Sequence, residues 1–196
     1  MEIITKLDFR ILNLIQAYFK CEFLDHLMPA ITVFGDHGII PIIIAIVLLL
    51  IPHTRKIGAS MGFAFAYGGI IGNLILKNII GRQRPYSSVY ALSILKECEL
   101  LIDGLSDFSF PSGHSLIAFE FAIVLIFMLK GKLKPISIIS LILAFTVAFS
   151  RLYLYVHFPT DVIVGAALGT LFGYLGVITA DAVFMIINKK LIRKNG

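Results

Sequence analysis

His157 and Asp161 stand four residues apart in SRLYLYVHFPTD, residues 150 to 161, with Pro159 between them. Proline breaks a preceding helix and suits the first position of the next. Four-residue spacing across such a helix start can bring a carboxylate to one imidazole nitrogen. That contact fixes the tautomer and leaves the other nitrogen free to attack or to accept a proton. Ser150 and Arg151 precede the pair by about one and a half helical turns. Each residue alone reads equally well as part of a wet loop; the set does not.

Two further clusters could serve the same chemistry. In FPSGHS, residues 110 to 115, Pro111 suits a helix start, and Ser112 and Gly113 then offer backbone N–H groups at its N-terminus. Such an end carries partial positive charge and unpaired donors, which bind anions. His114 follows, and a helix start with an incidental histidine stays open as the plainer alternative. In KNIIGRQRP, residues 77 to 85, Lys77 and Arg84 flank the end of an apolar run. They could simply snorkel to headgroups. They could also hold a phosphate, arginine by its planar fork and lysine as a point charge. Together the clusters supply a nucleophile, an acid for a leaving oxygen and fixed positive charge, as phosphoryl transfer requires.

The elements that must position these groups are apolar helices. The chain has 196 residues, of which 58% are hydrophobic and 15% charged, with Lys and Arg exceeding Asp and Glu to give +5. Its mean hydropathy is +0.93. A soluble domain would carry about a quarter charged residues, so the chain reads as an integral membrane protein, a single domain over 1–196. The net charge fits basic cytoplasmic loops rather than nucleic-acid binding. Two cysteines, Cys21 and Cys98, are too few for a disulfide framework and read as free thiols.

The expected fold is all-α, a polytopic membrane helix bundle of five or six spans with an amphipathic N-terminal helix. Residues 1–20 lack the marks of a cleavable signal peptide. Lys6, Arg10, Asn13 and Lys20 recur at helical spacing there, which suits a helix lying in the interface, a sixth span being the alternative. Residues 23–34 read as a short second helix, ended by turn chemistry at Gly35-Asp36-His37-Gly38. Residues 39–52 are apolar but short for a span. Residues 57–80 form a span whose Gly58, Gly62, Gly68, Gly69 and Gly72 should let neighbours approach closely. Spans over 115–129, 135–149 and 162–187 follow. The turns HTRK and KGKLK and the tail NKKLIRK alternate with the other connections and are basic, so they should be cytoplasmic. The three clusters then gather at the extracytoplasmic face, with the remaining charges at that face rather than through the midplane.

Lys77-x6-Arg84-Pro85, Pro111-Ser112-Gly113-His114 and Ser150-Arg151-x5-His157-x3-Asp161 resemble, in order and spacing, the three-part motif of the type 2 phosphatidic acid phosphatase superfamily. The resemblance implies a metal-independent lipid phosphatase without cofactors. His157 would be the nucleophile forming a phosphohistidine, Asp161 would orient it, and His114 would protonate the leaving oxygen and then activate water. Lys77, Arg84, Ser112, Gly113 and Arg151 would hold the phosphate oxygens, with no metal. Arg82 and Ser150 have no assigned role. The compact chain is similar to small bacterial undecaprenyl-diphosphate phosphatases of the plasma membrane, which makes undecaprenyl diphosphate the leading substrate; phosphatidic acid and phosphatidylglycerophosphate are the alternatives. The acids of the 81–110 loop, Glu97, Glu99, Asp103 and Asp107, read as solvating groups or an anionic rim. A channel or transporter, or a binding protein without catalysis, is the rival class, disfavoured by the pair His114 and His157. Nothing in the sequence bears on oligomeric state.

Overall fold

The computed structural model describes residues 2–87, 101–102 and 105–195. Helix α1 (Glu2–Phe19) is amphipathic: Phe9, Leu12 and Ile15 turn inward, while Ile3, Ile4, Leu7 and Leu14 are exposed. An interruption of the helix at Lys20-Cys21 leads to α2 (Glu22–Thr32), which passes through a tight 3-10 segment into α3 (Ile39–Leu50). That segment is kinked, with Asp36 extended at ψ 115°, His37 at φ 50° and Gly38 at φ 68°. Glycine takes the left-handed region at no steric cost, whereas histidine there is strained. The turn expected at 35–38 is therefore a break that keeps α2 and α3 in one apolar run.

Helix α4 (Arg55–Tyr67) continues through a π-helical stretch, Gly68–Leu76, to a last turn α5 (Lys77–Ile80), which Gly81 ends at φ 60°. The straight span read over 57–80 is thus underwound in its C-terminal half, where π geometry re-aims every later side chain, Lys77 included. Helices α6 (Gly113–Met128), α7 (Lys134–Tyr153) and α8 (Pro159–Asn195) complete the bundle. Four helical stretches, Glu22–Leu50, Arg55–Ser87, Gly131–Tyr153 and Pro159–Lys190, are long and apolar enough to cross a membrane, and Gly113–Met128 is a shorter apolar helix among them. Helix α1 is not one of these. Its buried face lies on α7 and α8 through Leu12, Tyr155 and Phe158.

Helix α6 is central, packing on α8, α7 and α4. Close approach comes chiefly from glycines of α8. A methyl group at Gly165 or Gly169 would strike the carbonyl of Ser112 or Leu116 on α6, and one at Gly176 that of Ser60 on α4. Of the glycines expected to seat neighbours in the second span, Gly58 lies on α3, and Gly68 and Gly72 lie on Leu116 of α6. Gly62 and Gly69 face open space instead. A matched pair of variants checks this difference. Gly169→Ala forces apart two helices that touch through backbone and should cost about 1–3 kcal/mol, seen as a lowered melting temperature in detergent. Gly62→Ala, with nothing within 4 Å of the added carbon, should leave the melting temperature unchanged.

One polar group departs from the expected gathering of charge at one face. Glu120, midway along α6, is 1% exposed and lies against Gly68. The glycine leaves room on α4's continuation that the glutamate side chain fills. At the far end of the bundle, Lys56 of α4 pairs with Asp181 of α8 at 2.7 Å.

Candidate active site

At the end of the bundle opposite the Lys56–Asp181 pair, the break between α2 and α3, the end of α5, the start of α6 and the connection between α7 and α8 surround a cavity of about 610 Å³. Lys77, Arg84, Gly113, His114 and His157 line it, with Asp36 and Asp107. Ser112, Arg151 and Asp161 are buried beside it. Segments as far apart in the chain as Asp36 and His157 are thereby brought to one place.

His157 sits in the connection between α7 and α8, 1% exposed. Its Nδ1 lies 2.8 Å from the carbonyl oxygen of Ser109. A carbonyl only accepts, so Nδ1 carries the proton. Burial, reinforced by the charges of Arg84 and Arg151, holds the imidazole well below its usual pKa, so the ring is neutral. The lone pair is then on Nε2, which receives an N–H from Arg84 Nη1 at 3.1 Å. The expected direct bond from Asp161 to this imidazole is not formed: Asp161 Oδ2 stands 3.7 Å from Nδ1. The Asp161 oxygens are held elsewhere, Oδ2 by the backbone N–H of Phe158 at 2.9 Å and Oδ1 by Arg82 at 2.5 Å. The carboxylate that caps the start of α8 cannot also reach the ring, and the backbone of Ser109 sets the tautomer in its place.

Arg82, without a role in the sequence reading, organises this side of the site. Its guanidinium donates to Asp161, to Thr160 Oγ1 at 2.7 Å and to Asp8 Oδ2 at 2.7 Å, and it lies 3.9 Å over the Phe158 ring. Asp8 also accepts from the backbone N–H and hydroxyl of Thr160. The N-terminal helix thus reaches the site with a buried acid. The available signal was that Asp8, Leu12 and Ile15 fall on one helical face, an acid among inward apolar residues.

Arg84 is 4% exposed and uses its whole fork: Nε to the Asp107 carbonyl at 2.9 Å, Nη1 to the Val156 carbonyl at 2.9 Å, Nη2 to Asp107 Oδ1 at 2.6 Å. Lys77 Nζ donates to the other oxygen of the same carboxylate. Partial burial pushes the Asp107 carboxyl upward, but the Lys77 hydrogen bond and the Arg84 charge outweigh this and bring it to about 2. Asp107 is therefore an ionised partner of two cations, its side chain half exposed at the cavity. Glu97, Glu99, Asp103 and Cys98 lie outside the described residues; Cys21 is an exposed free thiol.

Arg151 donates from Nη1 to Thr32 Oγ1, while its buried Nε and Nη2 have no hydrogen-bond partner among the described residues. Ser112 caps α6, its hydroxyl accepting from the Ser115 N–H and bonding Ser115 Oγ at 3.0 Å. Its own N–H donates to the Asp161 carbonyl at 3.1 Å, tying the starts of α6 and α8 together. Gly113 admits Asn73 Oδ1 close to its Cα. Ser150 is buried and donates to the Val147 carbonyl, a packing role within α7. His114, at the first turn of α6, places Nε2 2.7 Å from Asp36 Oδ1.

Known proteins resemble this chain in sequence and fold. Residues 57–184 match the family described as PAP2 superfamily. The chain is 31% identical over 170 residues to the undecaprenyl-diphosphatase of Sulfolobus acidocaldarius, covering 86% of this chain and 75% of that protein. The transmembrane PAP2 type phosphatidylglycerolphosphate phosphatase of Bacillus subtilis, known from its crystal structure, superposes with a TM-score of 0.74 at 26% identity, over 93% of this chain and 89% of that one. LpxE of Aquifex aeolicus gives 0.71 at 27% identity, over 87% and 94%. Motif order, bundle topology and the match over most of its length agree: the chain belongs to the PAP2 superfamily.

Proposed function

We propose that this membrane lipid phosphatase removes a phosphoryl group from a lipid phosphate or prenyl diphosphate at the extracytoplasmic face through a phosphohistidine at His157, with conversion of undecaprenyl diphosphate to undecaprenyl phosphate as its leading reaction. The observation that carries this reading is the convergence of Lys77 and Arg84 on the two oxygens of one carboxylate, with Arg84 also touching His157 Nε2. A phosphate taking the place of that carboxylate would present phosphorus to the imidazole lone pair. The free donors of Arg151 and the N-terminus of α6 at Gly113 supply further positive potential for the equatorial oxygens. Arg84 Nη1 gives up its hydrogen bond to His157 Nε2 for a phosphate oxygen; the freed lone pair attacks phosphorus, a P–N bond forms, and the leaving oxygen departs with the bonding pair and takes a proton from His114. Water then attacks the phosphohistidine, gives its proton to His114 and releases phosphate.

The orientation rests on charge. Arg55, Lys56, Lys130, Lys132, Lys134, Lys189 and Lys190 belong to the ends remote from the cavity, which favours a cytoplasmic placement for those ends. The likeness to the Sulfolobus undecaprenyl-diphosphatase favours the prenyl diphosphate, while the Bacillus phosphatidylglycerolphosphate enzyme keeps the glycerophospholipid reading as second.

A substrate panel tests the reading. Purified protein in detergent with a metal chelator should release phosphate from undecaprenyl diphosphate with a higher kcat/KM than from phosphatidic acid or phosphatidylglycerophosphate. A radioactive phosphoryl label should be trapped in acid-labile, base-stable form. A preference for either glycerophospholipid reverses the substrate order, and no release from any of the three overturns the reading.

A further inference from the structure

The tightest imidazole–carboxylate contact in the cavity joins His114 to Asp36, at 2.7 Å. The acid comes from the break between α2 and α3, a segment outside all three sequence motifs. Several features hold it there. His37 and Gly38 both take positive φ, so the helical path breaks just after Asp36. Gly35 lies flat on the imidazole: a methyl group at that position would overlap the ring's Cδ2 and Cγ. The break is thus shaped around the ring on one side and bonded to its Nε2 on the other.

We propose that Asp36 is a positioning residue for the acid–base step, holding His114 so that Nδ1 faces the leaving oxygen and supporting the doubly protonated ring that must donate to it. This rests on the phosphatase reading above and deepens it. A carboxylate only accepts, so Nε2 carries a proton whenever the contact exists. Nδ1 has no hydrogen-bond partner among the described residues and is the nitrogen left to meet substrate. For His114 to act as acid, Nδ1 must carry a second proton, giving an imidazolium beside the cations Arg84 and Arg151. The negative charge of Asp36 offsets that repulsion, as the acid of a catalytic triad does for its histidine. During phosphoryl transfer the P–O bond breaks with its electron pair on oxygen. The Nδ1 proton moves to that oxygen, and the ring stays on Asp36 as the neutral Nε2–H form. In the second step Nδ1 takes a proton from the attacking water and the imidazolium is restored.

A role in protonating the leaving oxygen has a signature that loss of structure lacks. Alkyl phosphates leave as strongly basic alkoxides and need the proton; p-nitrophenyl phosphate leaves as a weakly basic phenolate and does not. The experiment compares kcat/KM, which reports the first irreversible step, for octyl phosphate and p-nitrophenyl phosphate with the full chain in detergent. Asp36→Asn should lose on the order of 10²-fold for the alkyl ester and less than about threefold for the aryl ester. Asp36→Glu, which keeps a carboxylate, should recover most of the alkyl activity, and melting temperatures establish that both variants are folded. Equal losses for the two esters, or no loss for either, overturn the proposal. His157→Ala is the separate control: it should abolish both activities, and its failure to do so would count against the nucleophile assignment while leaving the leaving-group comparison readable. The lipid panel above tests the phosphatase reading separately: release from a lipid with ester losses that do not diverge overturns this inference alone, and no release from any lipid or ester overturns both.

Discussion

His157→Ala should lower lipid phosphate hydrolysis by a factor on the order of 10⁴ or more, the scale on which enzymes lose activity when the attacking group is deleted. The ring is neutral, its Nδ1 proton is committed to the Ser109 carbonyl, and its Nε2 lone pair faces Arg84 at the cavity wall. His114 is not placed this way, because its Nε2 is tied to Asp36. Without the nucleophile, direct attack by water would have to replace two easier steps with one hard one. The side chain is buried, so its removal also leaves the Ser109 carbonyl unpaired at a cost of about 1–3 kcal/mol. That should lower the melting temperature by a few degrees without unfolding the protein. The measurement is therefore phosphate release alongside a thermal melt, with the phosphoryl label assayed in parallel. A folded variant that retains more than about a hundredth of the activity, or that still takes up the label, would place the nucleophile elsewhere.

The candidate site groups were legible in the sequence because their chemistry follows from residue type. His114, His157, Lys77, Arg84 and Arg151 are costly in an apolar chain, and turns and proline fix where each falls. The spans were legible for a similar reason, since long apolar blocks bounded by basic turns admit few alternatives. What holds the groups was harder to read. Ser109 sets the His157 tautomer through its backbone carbonyl, which any residue would supply, so residue type leaves no trace of it. Asp36 and Asp107 sit in segments that read as a turn and a solvated loop, and only the tertiary approach of α5 and α6 gives them partners. Asp161 shows the opposite error. Its spacing from His157 suggested a direct bond, yet a carboxylate two residues beyond Pro159 is equally placed to cap α8, and the backbone N–H and Arg82 both claim it. The π-helical stretch at Gly68–Leu76 lies where Glu120 and Leu116 fill the glycine surface, a packing that periodicity does not encode.

The two imidazoles differ in what they demand of a substrate, and this bears on its identity. A prenyl diphosphate leaves as a phosphate monoester, already a stable anion. A phosphatidic acid leaves as a neutral alcohol only if its oxygen is protonated. Dependence on the Asp36–His114 pair should therefore be smaller for the diphosphate than for the monoesters, whereas dependence on His157 and on the cations should be common to all.

Among the cations the sharpest expectation is for Arg84→Lys, which should lower kcat/KM by roughly 10²- to 10³-fold, the cost of removing a fixed donor from a developing oxyanion. The charge is kept, so a purely electrostatic role would survive. What is lost is the fork. Arg84 reaches the Asp107 backbone and carboxylate, the Val156 carbonyl and His157 Nε2 at once, from a side chain that is 4% exposed. An ammonium on a flexible stem offers its donors from a single point and cannot span these directions. The Val156 bond matters in particular, because Val156 directly precedes the nucleophile and its carbonyl ties the His157 backbone to the phosphate-binding group. Losing it should reduce kcat as well as raise KM. Lys77→Arg gives the contrast. Lys77 meets one carboxylate oxygen as a point charge, and a guanidinium can do the same, so the loss there should stay within about tenfold. Full kinetic curves for both variants, with melting temperatures, decide between fork and charge: equal, small effects at the two positions would mean that Arg84 contributes only its charge and that the rigid frame around His157 comes from elsewhere in the bundle.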